Sequence, residues 1–299
     1  MIDKTKIKLA CAPINWTNDD APELGGELTY QQCLSEMALA GFQGSEIGNK
    51  YPKDPEVLNK ALKLRNLEIC NSWFSCFFTT RPEEFTIEQF IKTRDFLHSV
   101  GAKVIGICEV GLSVQGDLSA PLFETTPTLS DKDFEKIARG CEKLGKLAQE
   151  KGMTVAYHHH MGTGIQTLEQ YSRLMDMTDP KLVKALLDTG HLTYAGENAV
   201  EGFKKFIHRT AHIHLKDLRR SVWNNVGPKR YSYVGSVIEG VFTVPGDGDM
   251  VDWDGVFEVI RNSNFEGWIV VEAEQDPALY DPLEYAQKAR AFIKEKLDI

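Results

Sequence analysis

The sequence predicts a single (β/α)8 barrel, and three observations predict it. Eight short β-rich runs alternate with stretches of helical apolar spacing. No low-complexity linker or compositional break divides the 299 residues. Polar residues gather where the β-rich runs end. The whole chain, 1–299, therefore reads as one α/β domain of ordinary barrel size.

In chain order the β-rich runs are Ile7–Ala12, Gln43–Ile47, Leu67–Trp73, Lys103–Cys108, Met153–His158, Val183–Asp188, Ala211–Leu215 and Trp268–Glu272. Between them, Thr86–Val100 carries Ile87, Phe90, Ile91, Phe96 and Leu97 at three- and four-residue steps. Asp131–Lys151 does the same with Phe134, Ile137, Ala138, Cys141, Leu144 and Leu147. Phe257–Ile260 and Tyr285–Leu297 continue the pattern. Gly41, Gly101 and Gly152 stand where a helix ends just before the next strand, as a left-handed C′ position favours. A doubly wound open sheet is the competing fold. It normally carries a glycine-rich phosphate loop after its first strand, and Cys11-Ala12-Pro13-Ile14-Asn15-Trp16 is not one. Two stretches break the rhythm, Gly111–Leu129 and a longer one at about 217–250. The second holds Trp223, Asn224, Asn225, Arg230, Tyr231, Tyr233 and a Gly246-Asp247-Gly248 turn. A lid over the site and an oligomer contact are equal expectations for it.

Composition narrows the function. Hydrophobic residues make up 42% and charged residues 26%, enough apolar mass for a sizeable core. The formal net charge of −9 argues against nucleic-acid or anionic-membrane partners. No apolar run approaches the roughly 20 residues of a membrane span. The opening Met1–Lys6 has no charged-then-apolar signal pattern, and the six Cys show no CxxC spacing. Both point to reduced thiols and a cytoplasmic enzyme.

In a barrel the chemistry lies at the C-terminal strand ends. Read in order, these ends give Asn15 and Trp16, Glu46, Trp73, Glu109, His158-His159-His160, Asp188-Thr189-Gly190-His191, His212-Ile213-His214-Leu215-Lys216-Asp217, and Glu272-Ala273-Glu274. Six of the eight His fall at three consecutive strand ends, a placement that fold stability does not require. Imidazole and carboxylate together suit a divalent transition metal. Strand alternation puts His158 and His160 on one face and His159 on the other. His212 and His214 share a face, as do Glu272 and Glu274. Each has a bland reading: His159 and His212 as hydrogen-bonded core residues, Asp188 as a helix N-cap, Glu272 as a partner of a Lys. Glu46 and Glu109 are expected either to contact substrate or to pair with a barrel-lining base. Lys216 is expected either as a solvated lysine or as an acid or base with a lowered pKa.

These residues carry a resemblance. Asp188-Thr189-Gly190-His191, His214-Leu215-Lys216-Asp217 and Glu272 after an apolar strand resemble the xylose-isomerase-like TIM-barrel superfamily. Its usual site is Glu, Asp, His and Glu from four strand ends, around Mn, Co, Mg or Zn. Longer strings are similar to inosose dehydratases of myo-inositol catabolism: Ala12–Asp20, Phe42-Gln43-Gly44-Ser45-Glu46-Ile47-Gly48, Tyr157–Thr163 and Val271–Pro277. The resemblance implies a hydro-lyase that converts 2-keto-myo-inositol (scyllo-inosose) to 3D-(3,5/4)-trihydroxycyclohexane-1,2-dione and water. It also implies Mn or Co, and glutathione. The sequence departs from the superfamily at the fifth strand, where the usual Glu position falls on His158. His158, Asp188, His214 and Glu272 are thus the expected metal ligands, with His160 as the substitute for His158.

Water loss from a β-hydroxyketone needs a stabilised enediolate, a base, and an acid for the departing hydroxyl. Lys216, His191 and Glu274 are expected to supply the acid–base chemistry, in that order. By likeness to epimerases, Arg220 is expected on the substrate. Trp16, Trp73 and Trp223 are expected to wall its ring, with Glu46 and Glu109 nearby. Two alternatives remain open: a metal-dependent sugar or polyol epimerase or isomerase, and a barrel that binds polyols without turnover. A homo-oligomer is compatible with either. The endonuclease IV relatives are set apart by the acidic charge and the missing basic stripe.

Overall fold

The computed structural model describes residues 2–299. Nine parallel segments form one sheet: β1 (Ile7–Cys11), β2 (Gly44–Glu46), β3 (Glu68–Asn71), β4 (Trp73–Cys76), β5 (Val104–Glu109), β6 (Thr154–His158), β7 (Val183–Asp188), β8 (Thr210–Leu215) and β11 (Gly267–Val271). β1 pairs with both β2 and β11, and the ladder runs on from β11 to β8, β7, β6, β5 and β4. The order β3-β2-β1-β11-β8-β7-β6-β5-β4 leaves β3 and β4 at its two ends. These two are halves of one interrupted strand, so the barrel has eight staves and closes through Ser72.

That interruption is the main departure from the run expected at Leu67–Trp73. The chain changes partner at Ser72, pairing with β2 before it and with β5 after it. The Gly106 N–H bonds to both the Ser72 carbonyl (3.1 Å) and the Asn71 side chain (2.6 Å). The stave then runs to Cys76, so Trp73 begins its second half instead of ending it.

The main outer helices are α1 (Tyr30–Leu39), α2 (Pro55–Lys63), α3 (Glu83–Ser99), α5 (Asp131–Gln149), α6 (Leu168–Asp176), α8 (Ala199–Phe206), α11 (Trp253–Arg261) and α12 (Pro282–Leu297), of which α3, α5, α11 and α12 fall on the four stretches of helical spacing named from the sequence. Short helices α4 (Leu122–Thr125), α7 (Thr189–Tyr194), α9 (Arg220–Val226) and α10 (Tyr233–Ile238) lie on connections. Gly41, Gly101 and Gly152 adopt φ of 87°, 88° and 63°, the left-handed geometry expected of them.

Two hydrophobic layers follow from strand alternation. Val155, Tyr157, Leu187, Ile213, Leu215 and Ile269 face outward into the main core with the helices. Inside the barrel sit small and branched residues: Ala10, Ala12, Cys70 and Val270 on one side, Val104, Ala156 and Leu186 on the other. Above this plug the inward positions become polar, and the site begins there.

The segment at 217–250 is a folded unit, not an irregular loop. β9 (Asp217–Leu218) pairs antiparallel with β10 (Phe242–Thr243), flanking α9 and α10. Its Val226, Tyr233, Val234, Val237 and Phe242 form a second core with Leu122, Met161 and Tyr194. Asp217 anchors it, accepting from the Trp253 indole N–H at 2.7 Å. All six cysteines are buried free thiols, as expected.

Candidate metal centre and active site

The parity that builds the inner plug also aims the ligands. His158 follows inward Ala156 by two residues, Asp188 follows Leu186, and Glu272 follows Val270. Asp188 ends β7 and turns straight into α7. Its Oδ1 accepts the His191 N–H (2.8 Å) as the N-cap, which leaves Oδ2 for the barrel axis. The N-cap and ligand readings of Asp188 therefore describe its two oxygens.

Four atoms converge. His158 Nε2 lies 3.4 Å from Asp188 Oδ2. His214 Nδ1 lies 3.5 Å from Asp188 Oδ2 and 3.1 Å from Glu272 Oε2. All four residues are buried, and none of these four atoms makes a well-aligned hydrogen bond. His158, Asp188 and His214 bring donor atoms together in one cluster, with Glu272 Oε2 beside His214 Nδ1, and buried polar atoms gathered without aligned hydrogen bonds fit a bound cation. Two imidazole nitrogens and two carboxylate oxygens form a donor set that suits a divalent transition metal. These are the residues expected as ligands, and the structure brings them close together.

Lys216 sits behind this centre, fully buried. Its Nζ is 2.8 Å from Glu272 Oε2, 2.7 Å from Glu274 Oε1, 3.8 Å from Asp188 Oδ2 and 3.2 Å from His191 Nε2. Room for its stem comes from Gly190, where a Cβ would meet the Lys216 Cβ and Cγ at 2.7 Å. Burial alone would favour the neutral amine, but the Glu272, Glu274 and Asp188 carboxylates outweigh it and hold Lys216 above the usual lysine range. In this arrangement Lys216 meets Glu272, Glu274 and Asp188 as a counter-ion, and these carboxylates favour its charged form rather than the lowered pKa expected beside a cation. In return it holds Asp188 and Glu272 below the usual carboxylate range against their burial.

Glu274 is different. Burial raises its carboxyl to about 6, with Lys216 only partly offsetting this. Its Oε2 accepts the Tyr233 hydroxyl at 2.5 Å, and that hydroxyl also lies 3.4 Å from His160 Nε2. The His160 Nδ1 bonds to the Met161 carbonyl at 2.8 Å, so Nδ1 carries the proton and Nε2 is the bare lone pair. Tyr233 was not singled out as a site residue from the sequence. The available signal was the aromatic cluster in the long connection.

Above these groups is a cavity of about 690 Å3, with Glu46, Trp73, His158, His160, Glu272 and Glu274 among its lining and Asp19, Asp20, Asn49, Lys53 and Gln115 also bordering it. Of the three expected acid–base groups, Glu274 alone lines the cavity. His191 and Lys216 lie behind it, and burial, together with His160 and Lys216, pushes the His191 imidazole well down. Trp73 packs edge-on against His158 and His160, with centroids 5.5 and 5.2 Å apart.

Several expected substrate contacts lie elsewhere. Trp16 is in the core, 0% exposed, its indole N–H bonded to Glu36, because the tight turn at Pro13–Asn15 directs it under the barrel rim. Glu109 spends its oxygens on the backbone N–H groups of Phe78, Thr79 and Gly111 and on the Thr79 hydroxyl, so it braces a loop. Arg220 is exposed at the start of α9 and pairs with Asp249. Trp223 donates to the Tyr194 carbonyl and packs on the second core. Glu46 does reach the cavity, while its Oε1 contacts His212 and His214. His159 turns outward against Tyr171 and accepts the Asp188 N–H, as the alternation requires.

Residues 34–296 match the family described as xylose isomerase-like TIM barrel. Over 296 residues, 99% of each chain, the sequence is 57% identical to an inosose dehydratase of Bacillus anthracis, and 55% identical to inosose dehydratase 1 of Bacillus cereus. Among solved structures, the IolI protein with a binding zinc atom superposes at TM-score 0.72 and 16% identity, covering 97% of this chain and 98% of that one. D-allulose 3-epimerase from Methylomonas sp. superposes at 0.71 and 17%, covering 97% of each. At such identities the structural likeness speaks for the fold. The profile match and the 57% identity over the full length go further: the chain belongs to the xylose isomerase-like TIM barrel family and, within it, to the inosose dehydratases.

Proposed function

We propose that this chain is a metal-dependent hydro-lyase that removes water from 2-keto-myo-inositol (scyllo-inosose), giving 3D-(3,5/4)-trihydroxycyclohexane-1,2-dione. The observation that carries the reading is the cluster of His158, Asp188, His214 and Glu272 donor atoms beside Glu274, whose carboxyl burial raises to about 6, on a cavity with room for a sugar ring. The full-length identity with inosose dehydratases supports the substrate.

A divalent cation held by His158, Asp188, His214 and Glu272 supplies Lewis-acid stabilisation of the charge that develops on the ketone oxygen. The protein's own groups do the rest. Glu274, as carboxylate, takes the proton from the carbon beside the carbonyl. The electron pair of that C–H bond is delocalised towards the carbonyl and returns to expel the β-hydroxyl. The hydroxyl leaves with the proton now on Glu274 as water, and the enol that remains passes its hydroxyl proton to the former β-carbon to give the dione. Tyr233 and Lys216 hold the two Glu274 oxygens in place, and Lys216 keeps its charge throughout. The unprotonated His160 Nε2 accepts from a ring hydroxyl, and Trp73 walls the ring.

Manganese or cobalt is the proposed ion, in keeping with the mixed nitrogen and oxygen donors. Glutathione is carried over from the family resemblance. A cytoplasmic location is supported by the six unpaired thiols. Incubating metal-loaded protein with scyllo-inosose tests the function. A product lighter by one water, with new ultraviolet absorbance, is expected. A product of unchanged mass would instead make the chain an epimerase or isomerase.

A further inference from the structure

Resting on the reading of His158, Asp188, His214 and Glu272 as ligands, we infer that Glu46 is a positioning residue that sets the tautomer of His214 and so builds the metal centre. Glu46 ends β2 on the far side of His214 from the four converging atoms. Its Oε1 lies 3.0 Å from His214 Nε2 and 2.8 Å from His212 Nε2, and it accepts from the Asn71 side-chain amide at 2.7 Å. A carboxylate has no proton to give, so both imidazoles must donate Nε2–H to it. That assignment commits Nε2 of His214 as a donor and leaves Nδ1, the atom that faces Asp188 and Glu272, as the nitrogen able to bind a cation. Glu46 thus fixes which nitrogen can bind metal, and its charge makes that nitrogen a stronger donor.

The barrel holds Glu46 for this task through its interrupted strand. Asn71 is the last residue of β3, just before the break, and its Oδ1 accepts the Gly106 N–H at 2.6 Å. This orients the amide so that its NH2 points at Glu46. Gly106 leaves space for it: a Cβ there would lie 3.0 Å from the Asn71 Nδ2. His212, fully buried, completes the set with its ring edge-on to His214, centroids 5.3 Å apart. The chain Gly106, Asn71, Glu46, His214 therefore links the strand break to the metal centre.

The test titrates Co(II) into metal-depleted wild type, Glu46→Gln and Asn71→Ala, following visible absorption and metal retained after dialysis. The wild type is expected to hold one ion per chain. Glu46→Gln should bind it about 10- to 100-fold more weakly with an altered Co(II) spectrum and unchanged far-ultraviolet circular dichroism. Asn71→Ala removes one hydrogen bond to Glu46 and should weaken binding about fivefold, which keeps the inference testable should Glu46→Gln fold poorly. An unchanged Kd in both variants with a raised KM would overturn it and make Glu46 a substrate contact. Two ions per wild-type chain, falling to one in Glu46→Gln, would also overturn it by making Glu46 itself a ligand. A wild type that binds no divalent cation would sink the metal reading on which the inference stands, a separate failure.

Discussion

Replacing Lys216 with Met separates a buried counter-ion from a catalytic base. The Lys216 side chain is 0% exposed and its Nζ lies within 4 Å of Asp188, Glu272 and Glu274. Methionine has a similar length, so the packing beside Gly190 and Phe242 is kept while the charge is lost. Removing one partner of a buried ionic cluster costs about 3–5 kcal/mol, because the remaining charges stay buried and unpaired. At about 2.1 cal/mol/K per residue, unfolding 299 residues carries an entropy of about 0.6 kcal/mol/K. The cost then converts to a Tm lower by about 5–8 °C. Saturating Mn or Co should shrink this deficit, since the cation neutralises two of the same carboxylates. Thermal melts with chelator and with excess metal read both effects. A Lys216→Met protein with wild-type Tm in both conditions and abolished turnover would refute the reasoning and restore Lys216 as a base that starts out neutral.

Other expectations follow from the same geometry. Glu274→Gln should retain its metal and lose about two to four orders of magnitude in kcat, read by steady-state kinetics on metal-loaded protein. Because Glu274 must be deprotonated to take the proton and its carboxyl is raised to about 6, wild-type kcat/KM should fall as pH drops through about 6; a limb near the ordinary glutamate value of about 4.3 would show another base at work. Tyr233→Phe removes a hydrogen bond to a charged group, worth about 1.5–3 kcal/mol, so kcat should fall about 10- to 100-fold with metal content intact. His158→Gln should lose metal while His159→Gln keeps it, as dialysis and elemental analysis will show; the reverse ranking would mean that the facing of β6 is misassigned. Arg220→Ala should leave KM unchanged, since its side chain pairs with Asp249 at the surface.

The fold was legible because alternation and helical spacing repeat eight times, and each repeat constrains the same architecture. The ligand set was legible in part for a related reason. Two-residue parity along β6, β7, β8 and β11 sets His159 apart from His158 and His160, but it leaves His212 and His214 on one face, and the choice of His158 and His214 comes from the family resemblance. What parity does not give is distance. Lys216 shares the inward face with His214, but only three dimensions show that it meets three carboxylates, which favour its charged form. Glu46 and Glu109 look alike at their strand ends. One meets His214 and the cavity, while the other spends its oxygens on loop N–H groups, a difference set by the Thr79–Gly111 turns. Likeness to epimerases transfers a spacing to Arg220, whereas the structure places its side chain at the surface beside Asp249. Tyr233 was hidden for the opposite reason: no strand period reaches into 217–250, so nothing local marks which aromatic will sit on Glu274.

The most direct test of the account follows metal and chemistry in one titration. Metal-depleted protein is supplied with increasing Mn or Co in the presence of scyllo-inosose, and bound metal and water loss are recorded together. The cluster of His158, Asp188, His214 and Glu272 predicts that dehydration rises with bound ion and levels off at one ion per chain, yielding a dione one water lighter than the substrate. Full dehydration in the metal-depleted protein, or a saturated centre that returns only an isomer of unchanged mass, would contradict it.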